Sequence, residues 1–346
     1  MPTRSVRNPT SKLAHLDACL SGEVEYKKTT QFERFDFINQ AAMNISLESI
    51  DPSVCFLGKF LKAPLMIAPM TGGVERASEL NRLWAKAAEH FSIAMGVGSQ
   101  RVGIEDKQRA AFYQIRKEAP TALILANIGA GQLCRGWGEK EARQAVEMIE
   151  ADGLFIHLNA IQEACQDGDV DFRLLLPKIT EVVKALKKDG VPVLAREVGF
   201  GLSKEAVTRL LETGISGLDC AGAGGTSWAK VEAICAKSER RRQLGLRFAE
   251  WGIPTAVSIQ NVRAVSKDIP LIATGGLRSG IDLAKAIALG ADVGAMARPM
   301  LVAAHEGEEA LFEWIESVLT ELRVCMFGIG ATTHGELKKT SSIRVA

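Results

Sequence analysis

The stretch IPLIATGGLRSGIDLAKAIALGADVGAMARPM, Ile269 to Met300, contains one complete structural unit and the start of the next. Ile269 to Thr274 is a short apolar run, and a strand covered on both faces needs that near-continuous hydrophobicity. Two glycines and a polar turn follow. Then SGIDLAKAIALGA places its apolar residues three and four apart, the spacing of an amphipathic helix, and stops at a glycine. DVGAMARP begins the next apolar run.

Working outward, the same unit recurs through the chain. Further runs begin at Pro64 (PLMIAPM), Ser92 (SIAMGVGS), Ala122 (ALILANIG), Gly153 (GLFIHLNA), Val191 (VPVLAREVG) and Ile215 (ISGLDCAGAGG), which with the two above makes eight. Helical patterns such as ASELNRLWAKAAEHF and KEAVTRLLETG separate them. Eight strand-then-helix units predict a (β/α)8 TIM barrel. A doubly wound sheet is the alternative, but no run reads as a G-x-G-x-x-G dinucleotide turn. Residues 1–60 read as an N-terminal extension, 61–300 as barrel and 301–346, with HEGEEALFEWIESVLTELRVCMFGIGA, as closing helices. No linker or low-complexity segment interrupts them, so one domain is expected across residues 1–346.

Bulk composition excludes several classes of function. With 42 basic and 41 acidic residues among 346, the net charge is +1, and nothing global draws the chain to nucleic acid or to an anionic membrane. The basic run KSERRRQLGLR, Lys237 to Arg247, lacks interleaved aromatics and has Glu232, Glu239 and Glu250 nearby, so it reads as a solvated helix or loop. Seven scattered cysteines without C-x-x-C spacing read as reduced thiols, and Cys220 as packing. No apolar run is long enough to span a bilayer, and a cytoplasmic protein is the expectation.

Sites on this architecture form at the C-terminal strand ends. Strand four runs into IHLNAIQEACQDG, where His157, Asn159, Gln162 and Glu163 bring four polar groups to the barrel mouth within seven residues. Small or polar residues end the other strands too: APMTGG, GVGSQR, ANIGAGQ, AREVGFG, AGAGGTSW, ATGGLRSG and MARPM. The glycine pair Gly275 and Gly276, the following ARP, and Thr226 in AGGTS suit a phosphate, which backbone N–H groups and helix N-termini bind. Arg196 alternates with Leu194 and Val198, so it points into the barrel, where a guanidinium needs a partner. Glu163 or Glu197 would serve; so would the anionic edge of a cofactor whose phosphate sits at strands seven and eight. Flavin mononucleotide fits that second description.

The ordered motifs KLAHLDACLSGEVEYKKTT, APMTGG, GVGSQR, ANIGA, HLNAIQE, REVGFG, AGAGGTSWA, ATGGLRSG and ARPML resemble the FMN-dependent type 2 isopentenyl diphosphate isomerases nearly end to end. The resemblance implies interconversion of isopentenyl and dimethylallyl diphosphate, with reduced FMN as acid and base, Mg²⁺ on the diphosphate, and NADPH needed only to reduce the flavin. It places Ala68, Met70, Thr71, Gly72, Ser99, Asn127, Arg196 and Thr226 at the flavin. Gly275, Gly276, Ala297 and Arg298 fall at its phosphate. Lys12, His15, Ser99, Arg101, His157, Asn159 and Gln162 fall in the substrate pocket; of the expected catalytic residues Gln162, His157 and Asn159, the first is poised near the allylic carbons and the other two donate to phosphate oxygens, while Glu163 holds the metal. It further implies a homo-oligomer, no nucleic-acid or membrane partner, and an N-terminal segment that opens as a lid.

Two positions depart from that family pattern. Ser11 stands where an arginine is expected before Lys12, leaving Arg4 or Arg7 to compensate, and Arg196 stands where a lysine faces the flavin. A true FMN oxidoreductase and a flavin-binding relative without isomerase activity are the competing readings; Gln162 and Glu163 suit metal and diphosphate better than a hydroxy-acid oxidase site.

Overall fold

Each apolar run becomes a barrel strand because its Val, Ile, Leu and Ala side chains are covered on both faces. In the computed structural model, which describes residues 9–166, 168 and 170–345, these are β1 (Leu65–Ile67), β2 (Ala94–Gly96), β3 (Ile124–Gly129), β4 (Gly153–Leu158), β5 (Val193–Glu197), β6 (Gly217–Asp219), β7 (Leu271–Thr274) and β8 (Val293–Met296). All eight pair in parallel and in sequence order, and β8 closes the barrel on β1 through Gly294 opposite Leu65 and Met296 opposite Ile67. The expected TIM barrel is therefore the fold. Helices pack outside, Glu75–Phe91, Leu175–Lys187 and Gly280–Ala288 among them.

The barrel is filled rather than hollow. Met66, Ala94, Leu125, Phe155, Leu194, Ile272 and Val293 form one interior cluster with Phe56 and Leu61. Those last two belong to an antiparallel hairpin, Val54–Phe56 with Lys59–Leu61, which turns through Leu57 and Gly58 at positive φ. The extension thus reaches Leu61, and its hairpin packs against the barrel interior before β1 begins at Leu65. At the other end of the chain the helix Arg298–Glu306 leads into Glu308–Gly328. The C-terminal segment is not only helical: Ile343–Val345 pairs antiparallel with Phe35–Phe37 and ties the two ends of the chain together. Among the described residues no helix is long and apolar enough to cross a membrane. The basic run forms the helix Glu239–Arg247, with Arg242 paired to Glu239 on its exposed face.

Where β5 ends, Glu197 turns the chain. Its Oε2 accepts the backbone N–H groups of Val198, Gly199 and Phe200 at 2.6, 2.7 and 2.5 Å. Burial nevertheless raises this carboxyl from its ordinary 4.5 to about 7, against the pull of those N–H donors. Since the folded state holds the proton more tightly, this group's contribution to stability is present at acid pH and is lost as pH rises through about 7. Glu197→Ala, which strands three buried donors, is expected to cost about 3 kcal/mol or more in urea unfolding. Glu197→Gln keeps the acceptor, loses less and removes this pH slope; equal losses for the two variants would show that the N–H cage is unimportant.

Candidate active site

All the C-terminal strand ends face one rim, and there an open cavity is lined by residues from the strand ends and from the N-terminal helix, Lys12, Thr71, Asn127, Glu163, Thr226 and Gly275 among them.

β4 and the helix after it build one wall. Asn159 is the residue past the strand end, and Gln162 and Glu163 stand on the helix Ala160–Gln166 rather than in a loop. At three and four residues on, both reach back over Asn159, whose Nδ2 donates to Glu163 Oε1 at 2.9 Å and lies 3.4 Å from Gln162 Oε1. Gln162 Nε2 donates to Glu232 Oε1 at 2.7 Å, and His15 Nε2 lies 3.4 Å from the same oxygen. Glu232, read from the sequence as part of the solvated surroundings of the basic run, is buried. The available signal was helical spacing: it lies one turn after Trp228, which lines the cavity and meets His15 edge to face.

His157 is oriented by its neighbour on β3. Asn127 Nδ2 donates to the Val97 carbonyl at 3.0 Å, which turns Asn127 Oδ1 towards His157 Nδ1 at 2.8 Å. Nδ1 is therefore the protonated nitrogen, and Nε2 can donate to an anion only when the ring is an imidazolium. Asn127 lines the cavity, but its side chain is used to hold His157.

Arg196 does point inward, yet neither Glu163 nor Glu197 is its partner. The strand register sets it opposite Asp219 on β6, and Arg196 Nη1 donates to Asp219 Oδ2 at 2.5 Å with both side chains buried. The guanidinium also lies 5.7 Å from the Phe155 ring centre. Burial pushes the Asp219 carboxyl up while Arg196 pulls it down.

The opposite side is built of backbone. Gly275 and Gly276 adopt φ of 105° and 77°, and a Cβ on them would meet the carbonyls of Gly222 at 2.1 Å and Gly224 at 2.5 Å. Only glycine fits, and the result is a concavity of main-chain atoms beside the N-terminus of the helix Arg298–Glu306. The Arg298 side chain is committed elsewhere: Nη1 donates to Glu25 at 2.9 Å and Nε to the Cys19 carbonyl, while Arg278 shares Glu25 at 3.1 Å. The phosphate cradle therefore offers backbone and helix terminus, with two arginines behind them.

Most remaining predicted residues line the same cavity: Lys12, His15, Met70, Thr71, Ser99, Arg101, Thr226 and Ala297. Two do not. Ala68 is enclosed in the barrel-interior cluster, and Gly72 packs where a Cβ would strike the Tyr113 ring at 2.2 Å. Gly72 contributes its carbonyl, which with that of Ser99 receives Lys12 Nζ. Lys12 thereby docks the N-terminal helix Pro9–Ser21 on the mouth. Arg4 and Arg7 lie outside the described residues, as does the Ser11 side chain. Cys220 is buried packing, its thiol pushed up to about 12 by burial.

A glycine-walled concavity suited to a phosphate and the Arg196–Asp219 pair at the strand ends of one open cavity fit flavin mononucleotide, and the fold and site define an FMN-dependent TIM-barrel enzyme. Residues 166–344 match the family model for FMN-dependent dehydrogenases. Solved structures of a flavocytochrome b2 (17% identity, 96% of this chain and 83% of that one, TM-score 0.66) and of mandelate oxidase with (S)-mandelic acid (15%, 98% and 95%, 0.61) share the architecture. Nearer in sequence are isopentenyl-diphosphate delta-isomerases from Synechococcus sp., 47% identical over 97% of this chain and 96% of that one, and from Nostoc sp., 45% over 98% and 97%. The isomerase from Oceanobacillus iheyensis is 43% identical over 96% of this chain and 95% of its own. The chain belongs to the FMN-dependent, type 2 isopentenyl-diphosphate delta-isomerase family.

Removing Asp219 alone strands a buried guanidinium, so Asp219→Ala is expected to destabilise by about 3–5 kcal/mol, whereas replacing Arg196 and Asp219 together by leucine costs far less. Urea unfolding of the single and double variants measures this; additive losses would mean that the two charges do not act as a pair.

Proposed function

We propose that this protein interconverts isopentenyl diphosphate and dimethylallyl diphosphate without net redox change. The observation that carries the reading is the convergence, in one cavity, of a backbone phosphate cradle with Lys12, His15, Arg101, His157 and Asn159 around the Gln162–Glu163 turn. One anionic group has its place at the cradle and a second at the opposite wall, which suits a flavin phosphate and a substrate diphosphate.

Glu163 is the residue for Mg²⁺. Among the described residues no three His, Cys, Asp or Glu side chains group to hold a metal. A single carboxylate completed by substrate phosphate oxygens and water is a normal magnesium arrangement. Asn159 orients that carboxylate through its 2.9 Å bond. His157, held at Nδ1 by Asn127, is a further ligand for the diphosphate.

Gln162 does not titrate near neutrality, and its amide is turned by Glu232, so it positions the hydrocarbon part of the substrate rather than protonating it. Met70, Val198 and Trp228 supply apolar lining there. Bound in its reduced form, FMN supplies the acid–base chemistry at the allylic carbons, with NADPH serving only to reduce it. Arg196, held by Asp219, places a fixed positive charge for the flavin ring edge, and its planar, forked head is bulkier there than the family's lysine. All seven cysteines are free thiols, in keeping with a reducing cytoplasm. A homo-oligomeric assembly is part of the same reading.

Anaerobic protein with FMN, Mg²⁺, a reductant and isopentenyl diphosphate is expected to form dimethylallyl diphosphate while consuming far less than one reductant per turnover. Stoichiometric reductant loss would point to an oxidoreductase instead. Glu163→Gln is expected to lower kcat/KM about 100-fold or more and to blunt the response to Mg²⁺, with FMN binding retained. An unchanged Mg²⁺ response in that variant would remove Glu163 from the metal site.

A further inference from the structure

The loop after β2 brings one more cation to the mouth. Arg109 lies in the 3-10 stretch Lys107–Tyr113 and lines the cavity beside Lys12, Ser99 and Arg101. Its neighbour on that stretch, Tyr113, is a fixed reference point. The Tyr113 hydroxyl donates to the Ser99 carbonyl at 2.6 Å and receives Lys12 Nζ at 3.1 Å. Burial pushes this hydroxyl up, and Arg101 and Arg109 both pull it the other way, so both guanidinium charges act at the point where Lys12 docks.

We infer that Arg109 is a further ligand for the substrate diphosphate, supplying the positive charge that this chain lacks at Ser11. The inference rests on the diphosphate reading above. Arg101 and Arg109 already have carboxylates beside Nε, Glu105 at 3.8 Å and Asp106 at 3.3 Å, so guanidinium geometry, and not repulsion among uncompensated cations, is what favours an anion here. Asp106 sets the geometry: it caps the stretch through Gln108 N at 3.1 Å and holds Arg109 Nε at 3.3 Å. The terminal nitrogens of Arg109 make no hydrogen bond to the protein among the described residues, and a planar guanidinium engages phosphate oxygens in pairs. The flavin phosphate is not the target, because its cradle follows β7 and β8 whereas Arg109 belongs to the wall of Lys12, Ser99 and Arg101.

The test uses FMN-loaded protein with Mg²⁺ and two readouts: calorimetric binding of inorganic pyrophosphate, and KM and kcat for isopentenyl diphosphate at low and high salt. For Arg109→Gln, both the pyrophosphate Kd and KM are expected to rise about tenfold with kcat changed less than about threefold, and the salt dependence to weaken. Arg109→Lys, keeping the charge but not the fork, is expected to recover part of the loss. A change of less than about threefold in both Kd and KM for Arg109→Gln, in protein that melts and binds FMN like the wild type, overturns the inference. If the wild type binds neither ligand, the diphosphate reading fails and Arg109's role with it. Wild-type binding that Arg109→Gln leaves intact rejects Arg109 alone.

Discussion

The pairing of β8 with β1 is the contact on which the remaining structure depends. Gly294, Ala295 and Met296 take Leu65, Met66 and Ile67 as partners and join the two ends of the sheet. Because every strand is parallel, closure brings all C-terminal ends to one rim, and the loops that leave them share one opening. Gly294 lets the covering helix pack close: a Cβ there would meet the Leu283 methyl at 2.3 Å and make that side chain shift. The interior cluster of Phe155, Leu194 and Ile272, joined by Phe56 and Leu61 of the extension, fills the barrel, and the cavity described above opens at its mouth.

At that mouth a nearly neutral chain concentrates charge. The backbone concavity at Gly275 and Gly276 leaves no room for side chains, and the two arginines behind it, Arg278 and Arg298, share the single carboxylate of Glu25. The wall of Lys12, Arg101 and Arg109 is built of side chains instead: Glu105 and Asp106 accompany the two arginines, and the Tyr113 hydroxyl receives Lys12. Between these two regions lie the paired Arg196 and Asp219, sunk below the rim where solvent screening is weak.

Much of this was legible in the chain. All eight apolar runs are barrel strands, because a strand buried on both faces must be apolar nearly throughout and nothing else in the sequence has that length and composition. His157, Asn159, Gln162 and Glu163 were recognisable because polar residues at the end of such a run need partners. Glu232 and Tyr113 were not. Glu232 looked like part of a charged surface and nothing in the sequence singled out Tyr113, and each takes its role from a residue more than 60 positions away, Gln162 at 70 and Lys12 at 101. Arg196 was correctly turned inward by alternation, but its partner depended on which residue the neighbouring strand set beside it.

The sequence by itself determined the period of the fold, the rim at which chemistry had to occur, and the residue types able to meet phosphate, metal and flavin. Those follow from local rules: burial on both faces, alternation along a strand, helical spacing and the backbone freedom of glycine. Tertiary structure alone decided the pairings. Asp219 meets Arg196 through strand register, Glu232 fixes Gln162 across two helices, Asn127 selects the His157 tautomer, and the extension reaches the mouth through Lys12 and Glu25. Hydrogen bonds and ion pairs act over a few ångströms, so they are set by which segments closure brings together and not by distance along the chain.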